Sequence, residues 1–222
     1  MKKMTQLMLA SAALCASLSA NAAEVIAKSN TIVNVEANGG ALLFDKFDGS
    51  LGSLKSVRID LYSSLYDAEL NIENTGPAAN FAVGVAGDLT LTVGAQSLVT
   101  HATASQDFNN LASFDGNVDF DGASGRHVAL ANWDQSNFGI YTTGLSDFIG
   151  SGKYSGAVLG SSFQSLIGDS GNAQYYALVT MDGYAKVTYT YDVAPVPEPE
   201  TYAMLLAGLG LMGVVARRRK SA

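Results

Sequence analysis

The sequence predicts an all-β protein, an antiparallel β-sandwich of jelly-roll-like form, flanked by two terminal segments of different character. Apolar and polar residues alternate with period two over many short stretches. Clusters of Gly with Asp, Asn or Ser separate these stretches, and helix signals are scarce between residues 23 and 193. A chain of 222 residues is expected to form one domain, which we assign to residues 23–193.

The alternation is clearest in three stretches. In SVRIDLY, Val57, Ile59 and Leu61 would face the core while Arg58 and Asp60 face solvent. DLTLTV (88–93) and KVTYTYDV (186–193) show the same pattern, and Thr, Val, Ile and Tyr suit a half-buried pleated surface. The further predicted strands are Thr31–Val35, Glu69–Glu73, Val128–Asn132 and Tyr175–Met181.

Turn signals separate the predicted strands, namely ANGG, FDGS, NTGP, FDGN, FDGASG, GSG and GDSGN. Gly, Asn and Asp tolerate the positive φ that tight turns require. Residues 146–168, SDFIGSGKYSGAVLGSSFQSLIG, are predicted as a loop or short helix. Leu159, Phe163 and Leu166 have helical spacing there, but the glycines weaken a helix.

The N-terminal segment is typical of a bacterial secretory signal peptide over residues 1–22. Lys2 and Lys3 precede a mostly apolar stretch, and Ala20-Asn21-Ala22 offers small residues where signal peptidase reads its substrate. We expect signal peptidase to cleave after Ala22, or alternatively after Ala23. The competing interpretation is a buried N-terminal helix.

The chain has one cysteine, Cys15, which lies inside the predicted signal peptide. The bulky Leu14 before it disfavours a lipoprotein signal. Once the signal is removed no cysteine remains, so disulfides, thiolate nucleophiles and Cys-bound metals are excluded from the mature chain.

The body of the chain is acidic. Between Glu24 and Ala194 there are 18 acidic against 7 basic residues, a net charge of −11. Nucleic acid is therefore an unsuitable partner, because Lys and Arg are needed to neutralise phosphates.

Motifs for catalysis or cofactors are missing from the sequence: there is no HExxH, GxSxG or phosphate-binding loop. We therefore expect no cofactor and no enzymatic activity. A Ser124, His127 and Asp121 triad could be assembled, but the serine lacks the strand-to-helix turn that exposes a nucleophile. Paired carboxylates could serve a glycosidase, although the sequence does not state their separation.

Two weaker candidate sites remain. Asp119 and Asp121 in DFDG, like the carboxylates of FDKFDG at residues 44–49, could bind calcium, which takes six to eight oxygens. The alternative is that each Asp caps its own turn. Trp133 could stack on a sugar ring, although a Trp at a half-buried site more often packs in the core.

The C-terminal segment has three parts. A proline-rich linker, residues 194–200, contains Val196, Pro197, Glu198 and Pro199, and it should be extended. An apolar run over residues 201–216 and a basic tail over residues 217–222 follow. The basic residues of that tail are Arg217, Arg218, Arg219 and Lys220.

This order resembles the PEP-CTERM sorting signal of Gram-negative, exopolysaccharide-producing bacteria. The resemblance implies secretion, a transient inner-membrane anchor, and processing near Pro197-Glu198-Pro199 by an exosortase-type membrane transpeptidase. Sixteen helical residues would span about 24 Å, somewhat less than the ~30 Å hydrocarbon core, and snorkelling of Arg217 could cover the difference. The basic cluster would act as a cytoplasmic stop-transfer signal.

The body is similar to the beta domain called choice-of-anchor E, which occurs with several alternative C-terminal anchors. The matching stretches are FDGSLGSLKSVRIDL (47–61), NIENTG (71–76), FDGNVDFDGASG (114–125), SDFIGSGK (146–153) and AKVTYTYDV (185–193). The resemblance implies an extracellular β-sandwich with no assigned activity, so no catalytic residue is carried over.

The sequence thus predicts a non-enzymatic protein of the cell surface or extracellular matrix, associated with exopolysaccharide and biofilm. One alternative is a carbohydrate-binding module for envelope polysaccharide, with Trp133 and exposed tyrosines as its platform. The other is a hydrolase of envelope polymers, which would need two carboxylates in one cleft.

Overall fold

The computed structural model describes residues 22–194, 204–212 and Arg217. Residues 22–194 form nine strands in two antiparallel sheets. The strands are β1 (Ala22–Lys28), β2 (Gly40–Asp45), β3 (Gly52–Asn74), β4 (Ala79–Val93), β5 (Gln96–Leu111), β6 (Gly125–Ala129), β7 (Trp133–Tyr141), β8 (Lys153–Gly168) and β9 (Ala173–Val193). The short helical elements are an α-helical turn, Val35–Asn38, and two 3-10 turns, Gly49–Leu51 and Leu145–Phe148.

The strand order is that of a jelly roll. β1 pairs with β9, β2 with β8, β3 with both β6 and β7, and β4 with β5, as in one long hairpin rolled on itself. Pairing of β9 with β3 then completes the first sheet, and pairing of β8 with β4 completes the second. The predicted all-β sandwich of jelly-roll-like form is therefore confirmed.

The long strands β3 and β9 form the centre of the first sheet. Their pairing runs from Gly52 opposite Val193 to Asn74 opposite Ala173, with an irregularity between Tyr66 and Glu69. Asp67 has a φ of 51° within that irregularity, in the left-handed region that Asp tolerates better than most residues. β3 continues on both sides of this bulge and contributes side chains to both clusters of the core.

The core between the sheets consists of two clusters. The larger one includes Phe44, Phe47, Ile59 and Leu61, and the smaller one contains eight buried residues. The members of the smaller cluster are Leu70, Ile72, Phe81, Val83, Val85, Phe108, Leu111 and Ala177. Burial of each large apolar side chain contributes about 1.5–3 kcal/mol to stability. Because the alternating pattern turns these side chains toward the facing sheet, their burial stabilises the sandwich.

The strand predicted at Thr31–Val35 is wrong. Only Ile32 forms a β-bridge, with Gly183, and Val35 begins the α-helical turn. Asn34 adopts a φ of 49°, and its backbone N–H donates to Asp182 Oδ1. The left-handed residue ends the extended backbone, so the fully buried Val35 reaches the core from a turn instead of a strand.

The loop or short helix predicted at residues 146–168 is wrong for residues 153–168, which form β8, whereas the stretch before β8 includes part of the 3-10 turn Leu145–Phe148. Its glycines allow close packing instead of breaking a helix. A Cβ at Gly156 would lie 2.6 Å from Leu91 Cδ1, and one at Gly160 would lie 2.7 Å from Val35 Cγ1. Pairing of β8 within the second sheet and its packing against the α-helical turn therefore override the helical spacing of the apolar residues.

Candidate functional site

The C-terminal sorting tail is described only in part. Residues 204–212 are helical and exposed, and their large side chains are Met204, Leu205, Leu206, Leu209, Leu211 and Met212. Arg217 is also helical. Among the described residues, no helix combines the length and the apolar character needed to cross a membrane. Three predicted features lie outside the described residues. They are the signal peptide up to Asn21, the motif residues Val196, Pro197, Glu198 and Pro199, and the basic residues Arg218, Arg219 and Lys220.

Asp119 and Asp121 lie in the loop of residues 112–124 that joins β5 to β6. This loop packs across the end of the first sheet, where Phe114 N–H donates to Gly76 O at 2.9 Å and Asn74 N–H donates to Ser124 O at 2.9 Å. The Phe120 ring meets the Tyr176 ring of β9 edge-on, with centroids 5.0 Å apart. The loop is therefore held against β3 and β9.

The loop carboxylates accept hydrogen bonds from neighbouring loop groups. Asp119 Oδ1 accepts from Asp121 N–H at 3.1 Å, and Asp121 Oδ1 accepts from Gly122 N–H at 2.7 Å. Asp119 Oδ2 accepts from Asn117 Nδ2 at 2.7 Å. These are the turn-capping bonds expected as the alternative to calcium binding. Within residues 22–194, no three His, Cys, Asp or Glu side chains already converge as metal ligands do.

Ser124, His127 and Asp121 are near in sequence but do not form a hydrogen-bonded relay. Ser124 Oγ is fully buried and has no hydrogen-bond partner among the described residues. His127 Nδ1 lies 2.6 Å from Asn71 Oδ1, so its partner is an amide of β3 and not a carboxylate. A general base that activates a serine must lie within hydrogen-bond reach of the hydroxyl.

Trp133 begins β7 and lies opposite Leu65 of β3. The indole is half-buried and packs against both core clusters, and its Nε1 is buried without a hydrogen-bond partner among the described residues. Most of the ring therefore contributes to the core, and only its exposed part could contact a sugar.

A shallow groove of about 330 Å³ lies on the outer face of the second sheet. Its floor is Gly84 and Ala86 of β4, and Phe163 of β8, which is 54% exposed, lies opposite Ala86 on one side. Thr103 and Ser105 of β5 lie on the other side, opposite Ala86 and Gly84. An aromatic ring beside hydroxyl groups over a floor of small residues is a surface that suits a sugar ring.

A second depression on the same sheet contains two carboxylates. Asp107 and Asp169 line a shallow space of about 320 Å³, and Asp169 Oδ2 accepts from Asn80 Nδ2 at 2.8 Å. This is where two acidic groups share a depression, as the hydrolase hypothesis requires.

The shifted pKa values belong to groups outside these depressions. The pKa of the Tyr66 hydroxyl is raised mainly because it donates to Asp182 Oδ1 at 2.9 Å. Burial raises the pKa of Glu36, which its hydrogen bond with Ser162 partly offsets. Burial also raises the pKa of Tyr141 and of Tyr189, whose hydroxyl donates to Asp45 O at 2.7 Å. These shifts favour the neutral forms and indicate structural roles.

Sequence reasoning missed three features of these surfaces. Phe163 was assigned to a loop or helix, so its place beside the groove could not be predicted. Asp115 and Asn117 precede Asp119 and Asp121 at regular two-residue intervals, a signal visible in DGNVDFDG. Glu73 was predicted only as part of a strand, yet it is fully buried beneath the same loop.

Comparison with known proteins identifies one segment. Residues 195–220 match the family model of the PEP-CTERM protein-sorting motif. This motif indicates an exported protein that an exosortase sorts. The match covers the tail alone, and no curated protein matches the chain.

Weak matches among the solved structures include two of infectious bursal disease virus. The Gt strain structure has 11% sequence identity and a TM-score of 0.16, with 81% of this chain and 49% of that chain covered. The Gx strain structure has 10% identity and a TM-score of 0.11, with 87% and 49% covered. The match thus spans about half the length of each of these chains, and such TM-scores support no conclusion about fold or function.

Proposed function

We propose that this chain is a non-enzymatic protein of the cell surface or extracellular matrix, delivered there by its C-terminal tail. The observation that carries the proposal is the match of residues 195–220 to the sorting motif. Signal peptidase would cleave after Ala22, and an exosortase-type transpeptidase would process the chain near Pro197-Glu198-Pro199. Association with exopolysaccharide or biofilm would follow from that destination.

The tail would act as a transient membrane anchor before processing. Residues 204–212 support this role, because they are helical and consist only of Met, Leu, Ala and Gly. A continuous helix over residues 201–216, with Arg217 snorkelling to the interface, would hold the motif at the outer side of the inner membrane. The basic residues 217–220 would remain cytoplasmic.

The body would be the part that remains after both cleavages. β1 begins at Ala22 and pairs along its length with β9, which ends at Val193. Cleavage after Ala22 would leave β1 almost complete, and cleavage after residue 196 would leave β9 intact. From the resemblance of its sequence alone, we propose that the body is a choice-of-anchor E type domain with a structural or binding role.

Intact mass and localisation test the sorting proposal. The protein isolated from its native host is expected to begin near Ala23 and to end near the Pro197-Glu198-Pro199 motif. A chain that lacks residues 196–222 should be exported but should not be retained at the membrane or sorted to the surface. A native product that still ends in Ala222 would contradict the processing.

A matched variant separates recognition from anchoring. Pro197→Ala with Glu198→Ala and Pro199→Ala alters the motif and keeps the apolar run and the basic cluster. We expect this chain to accumulate uncleaved in the inner membrane. Replacement of residues 217–220 by serine should instead weaken retention of the tail, because the stop-transfer charges are lost.

Carbohydrate binding at the groove beside Phe163 is a second candidate function. The observation that favours it is the exposed ring of Phe163 next to the hydroxyls of Thr103 and Ser105. Phe163→Ala should abolish binding to exopolysaccharide from the host and change stability by no more than about 0.5 kcal/mol, because the side chain is exposed. Leu178→Ala, at a side chain 55% exposed on the other sheet, is the control.

Trp133 needs a separate measurement. Trp133→Ala should destabilise the fold by about 3 kcal/mol or more, because the indole packs against both core clusters. Loss of glycan binding in this variant would support a contact at Trp133 only if its unfolding temperature shows that it is folded under the assay conditions.

A further inference from the structure

Glu73 is a buried carboxylate with no ion-pair partner among the residues that the structure describes. It lies near the end of β3, opposite Gly125 of β6 and Gln174 of β9, and its side chain is 0% exposed. Oε2 accepts one hydrogen bond, from Phe120 N–H at 2.9 Å. Within residues 22–194, no Lys, Arg or His lies within ion-pair distance of it.

Three buried polar atoms near this point have no hydrogen-bond partner among the described residues. They are Glu73 Oε1, Ser124 Oγ and Asn71 Nδ2. A buried polar atom without a partner costs about 1–3 kcal/mol, and a buried charge costs more unless it is paired or bound to a metal. The acidic loop of residues 112–124 therefore covers a buried carboxylate that has no cationic partner among the described residues.

The Glu73 carboxylate faces the inside of this loop. A Cβ at Gly125 would lie 2.5 Å from Glu73 Oε2 and 2.5 Å from Asp121 O, so these two oxygens are at most 5 Å apart. Glycine at position 125 leaves this space open. Main-chain and side-chain oxygens thus approach each other at a point where Glu73 pairs with no cationic side chain of residues 22–194.

The loop above supplies further oxygens at regular intervals. Asp115, Asn117, Asp119 and Asp121 alternate with Gly116, Val118 and Phe120. Gly116, Phe120 and Gly122 have positive φ, which curls the backbone between these side chains. Arg126, just after this loop, donates to Gly122 O and Gly125 O, and among the described residues it forms no ion pair with the loop carboxylates.

We propose that Glu73 and the loop of residues 115–121 bind one Ca²⁺ ion. Glu73 would be the buried ligand, Asp119 and Asp121 would supply side-chain or main-chain oxygens, and Asp115 or Asn117 would complete the six to eight oxygens that Ca²⁺ takes. Mixed carboxylate, amide and carbonyl ligands at flexible distances suit Ca²⁺ better than Mg²⁺, which requires a near-ideal octahedron. If the body is exported as proposed above, a Kd of about 10⁻⁴–10⁻³ M is expected, as in extracellular modules.

Binding would change the hydrogen bonds of the loop. The Asn117 Nδ2 donation to Asp119 Oδ2 occupies an oxygen that the ion would take, so the amide must turn away. The Ca²⁺ ion would then join the loop to β3 through Glu73, beside the contact of Phe120 with Tyr176. The bound state is therefore more resistant to unfolding than the calcium-free state.

A calcium titration of the purified full-length chain tests the site. After treatment with EDTA, CaCl₂ should raise the unfolding temperature saturably, by about 5–10 °C at one hundred times the Kd. MgCl₂ at equal concentration should raise it by less than half as much. No saturable rise up to 10 mM CaCl₂ (about ten times the weakest expected Kd), or an equal effect of MgCl₂, overturns the proposal.

Glu73→Gln distinguishes a calcium ligand from a structural carboxylate. The amide keeps an acceptor for Phe120 N–H but removes the charge, so the calcium-dependent shift should vanish while stability in EDTA stays equal or rises. The matched control is Asp48→Asn in the similar FDG turn, where Asp48 Oδ1 accepts from Ser50 N–H at 2.9 Å. A full shift that persists in Glu73→Gln, or is lost in Asp48→Asn, overturns the assignment.

Terbium luminescence locates the bound ion without substituting any of its proposed ligands. Tb³⁺ substitutes for Ca²⁺ and is sensitised by a nearby tyrosine, and Tyr176 packs on Phe120 of the loop. The parent chain should show Tb³⁺ emission that CaCl₂ displaces, and Tyr176→Phe should lose most of the emission but keep the calcium-dependent shift. Emission that is unchanged in Tyr176→Phe would place the ion elsewhere and contradict the proposal. This readout is independent of sorting, so its failure leaves the proposed export unaffected.

Discussion

The middle and the far end of β3 bury polar side chains in opposite ways. At its middle, Ser63 is 1% exposed and points into the core, where its Oγ accepts from Thr100 Oγ1 of β5 at 2.8 Å. At its far end Glu73 is buried beneath a loop, and one of its two carboxylate oxygens has no partner among residues 22–194. A single strand thus carries one satisfied and one unsatisfied buried polar site.

The two polar sites suggest different roles, a structural one for Ser63 and a ligand-binding one for Glu73. A buried hydroxyl pair that satisfies itself joins the two sheets and needs no ligand. A buried carboxylate with a hydrogen bond to only one of its two oxygens reduces the stability of the fold. A ligand that binds the carboxylate can therefore raise the free energy of unfolding. Substitutions around Ser63 and at sites away from Glu73 therefore measure the stability of the fold independently of the proposed calcium site.

The largest effect is expected from the apolar residues that flank Ser63. Leu61 is 0% exposed in the larger core cluster, so Leu61→Ala should lower the free energy of unfolding by about 2–5 kcal/mol. Chemical denaturation measures this loss. Ile140→Ala, on the neighbouring β7 with a side chain 57% exposed, should change it by no more than about 0.5 kcal/mol. Equal losses in both variants would contradict the assigned inner and outer faces.

The hydroxyl pair should show strong coupling. Ser63→Ala leaves Thr100 Oγ1 buried without its partner and should cost about 1–3 kcal/mol, and Thr100→Val should cost a similar amount. The double variant should be less destabilised than the sum of both, because no orphan hydroxyl remains. Additive losses in a double-mutant cycle would mean that the two hydroxyls do not depend on each other.

A smaller effect is expected at Tyr189, whose hydroxyl donates to Asp45 O. Burial and the nearby Asp45 raise the pKa of Tyr189, so the folded state favours the neutral phenol. Its contribution is therefore complete below pH 10, near the ordinary tyrosine pKa, and is lost as the pH rises above that value. Tyr189→Phe should cost about 0.5–1.5 kcal/mol at pH 7.

The alkaline part of this prediction is measured by denaturation at pH 8 to 12. Above pH 10 the parent chain should lose stability faster than Tyr189→Phe, which has no phenol at this position to ionise. Parallel curves would show that other tyrosines, such as Tyr141 with its raised pKa, control alkaline unfolding.

The smallest effect is expected at the exposed ion pair between Lys153 and Asp45. The Nζ–Oδ1 distance is 2.9 Å, but both side chains are more than half exposed. Lys153→Ala should therefore cost about 0.2–1 kcal/mol, with the effect decreasing at high salt. A loss comparable to that of Ser63→Ala would mean that surface charge, and not buried pairing, stabilises this edge.

Much of the fold could be predicted from the sequence where local pattern and tertiary environment agree. The alternation at residues 57–61 and 186–193 gives β3 and β9, because one face of each strand is buried and the other is not. The same reasoning failed at β8, where glycines make room for Leu91 of the neighbouring strand β4 and for Val35 of the α-helical turn. It failed again at Asn34, because a left-handed residue depends on the hydrogen bond to Asp182.

The candidate sites also differ in whether local sequence alone could predict them. The sorting tail is a linear signal, read by other proteins along the chain, and the order of its proline, apolar and basic parts is sufficient to recognise it. Asp119 and Asp121 were found from the same kind of local pattern. Glu73 was not found as a ligand, because it is about 46 residues away in sequence and approaches the loop only when β3 pairs with β6.

The sequence alone determined the alternation that requires two sheets, the acidic character of the body and the address carried by its tail. These properties depend on residue order and composition, which exist before the chain folds. The tertiary structure alone decided the jelly-roll pairing, the groove beside Phe163 and the burial of Glu73 under an acidic loop. Those features arise from contacts between distant segments, whose positions are set when the two sheets pack and exclude water from the core.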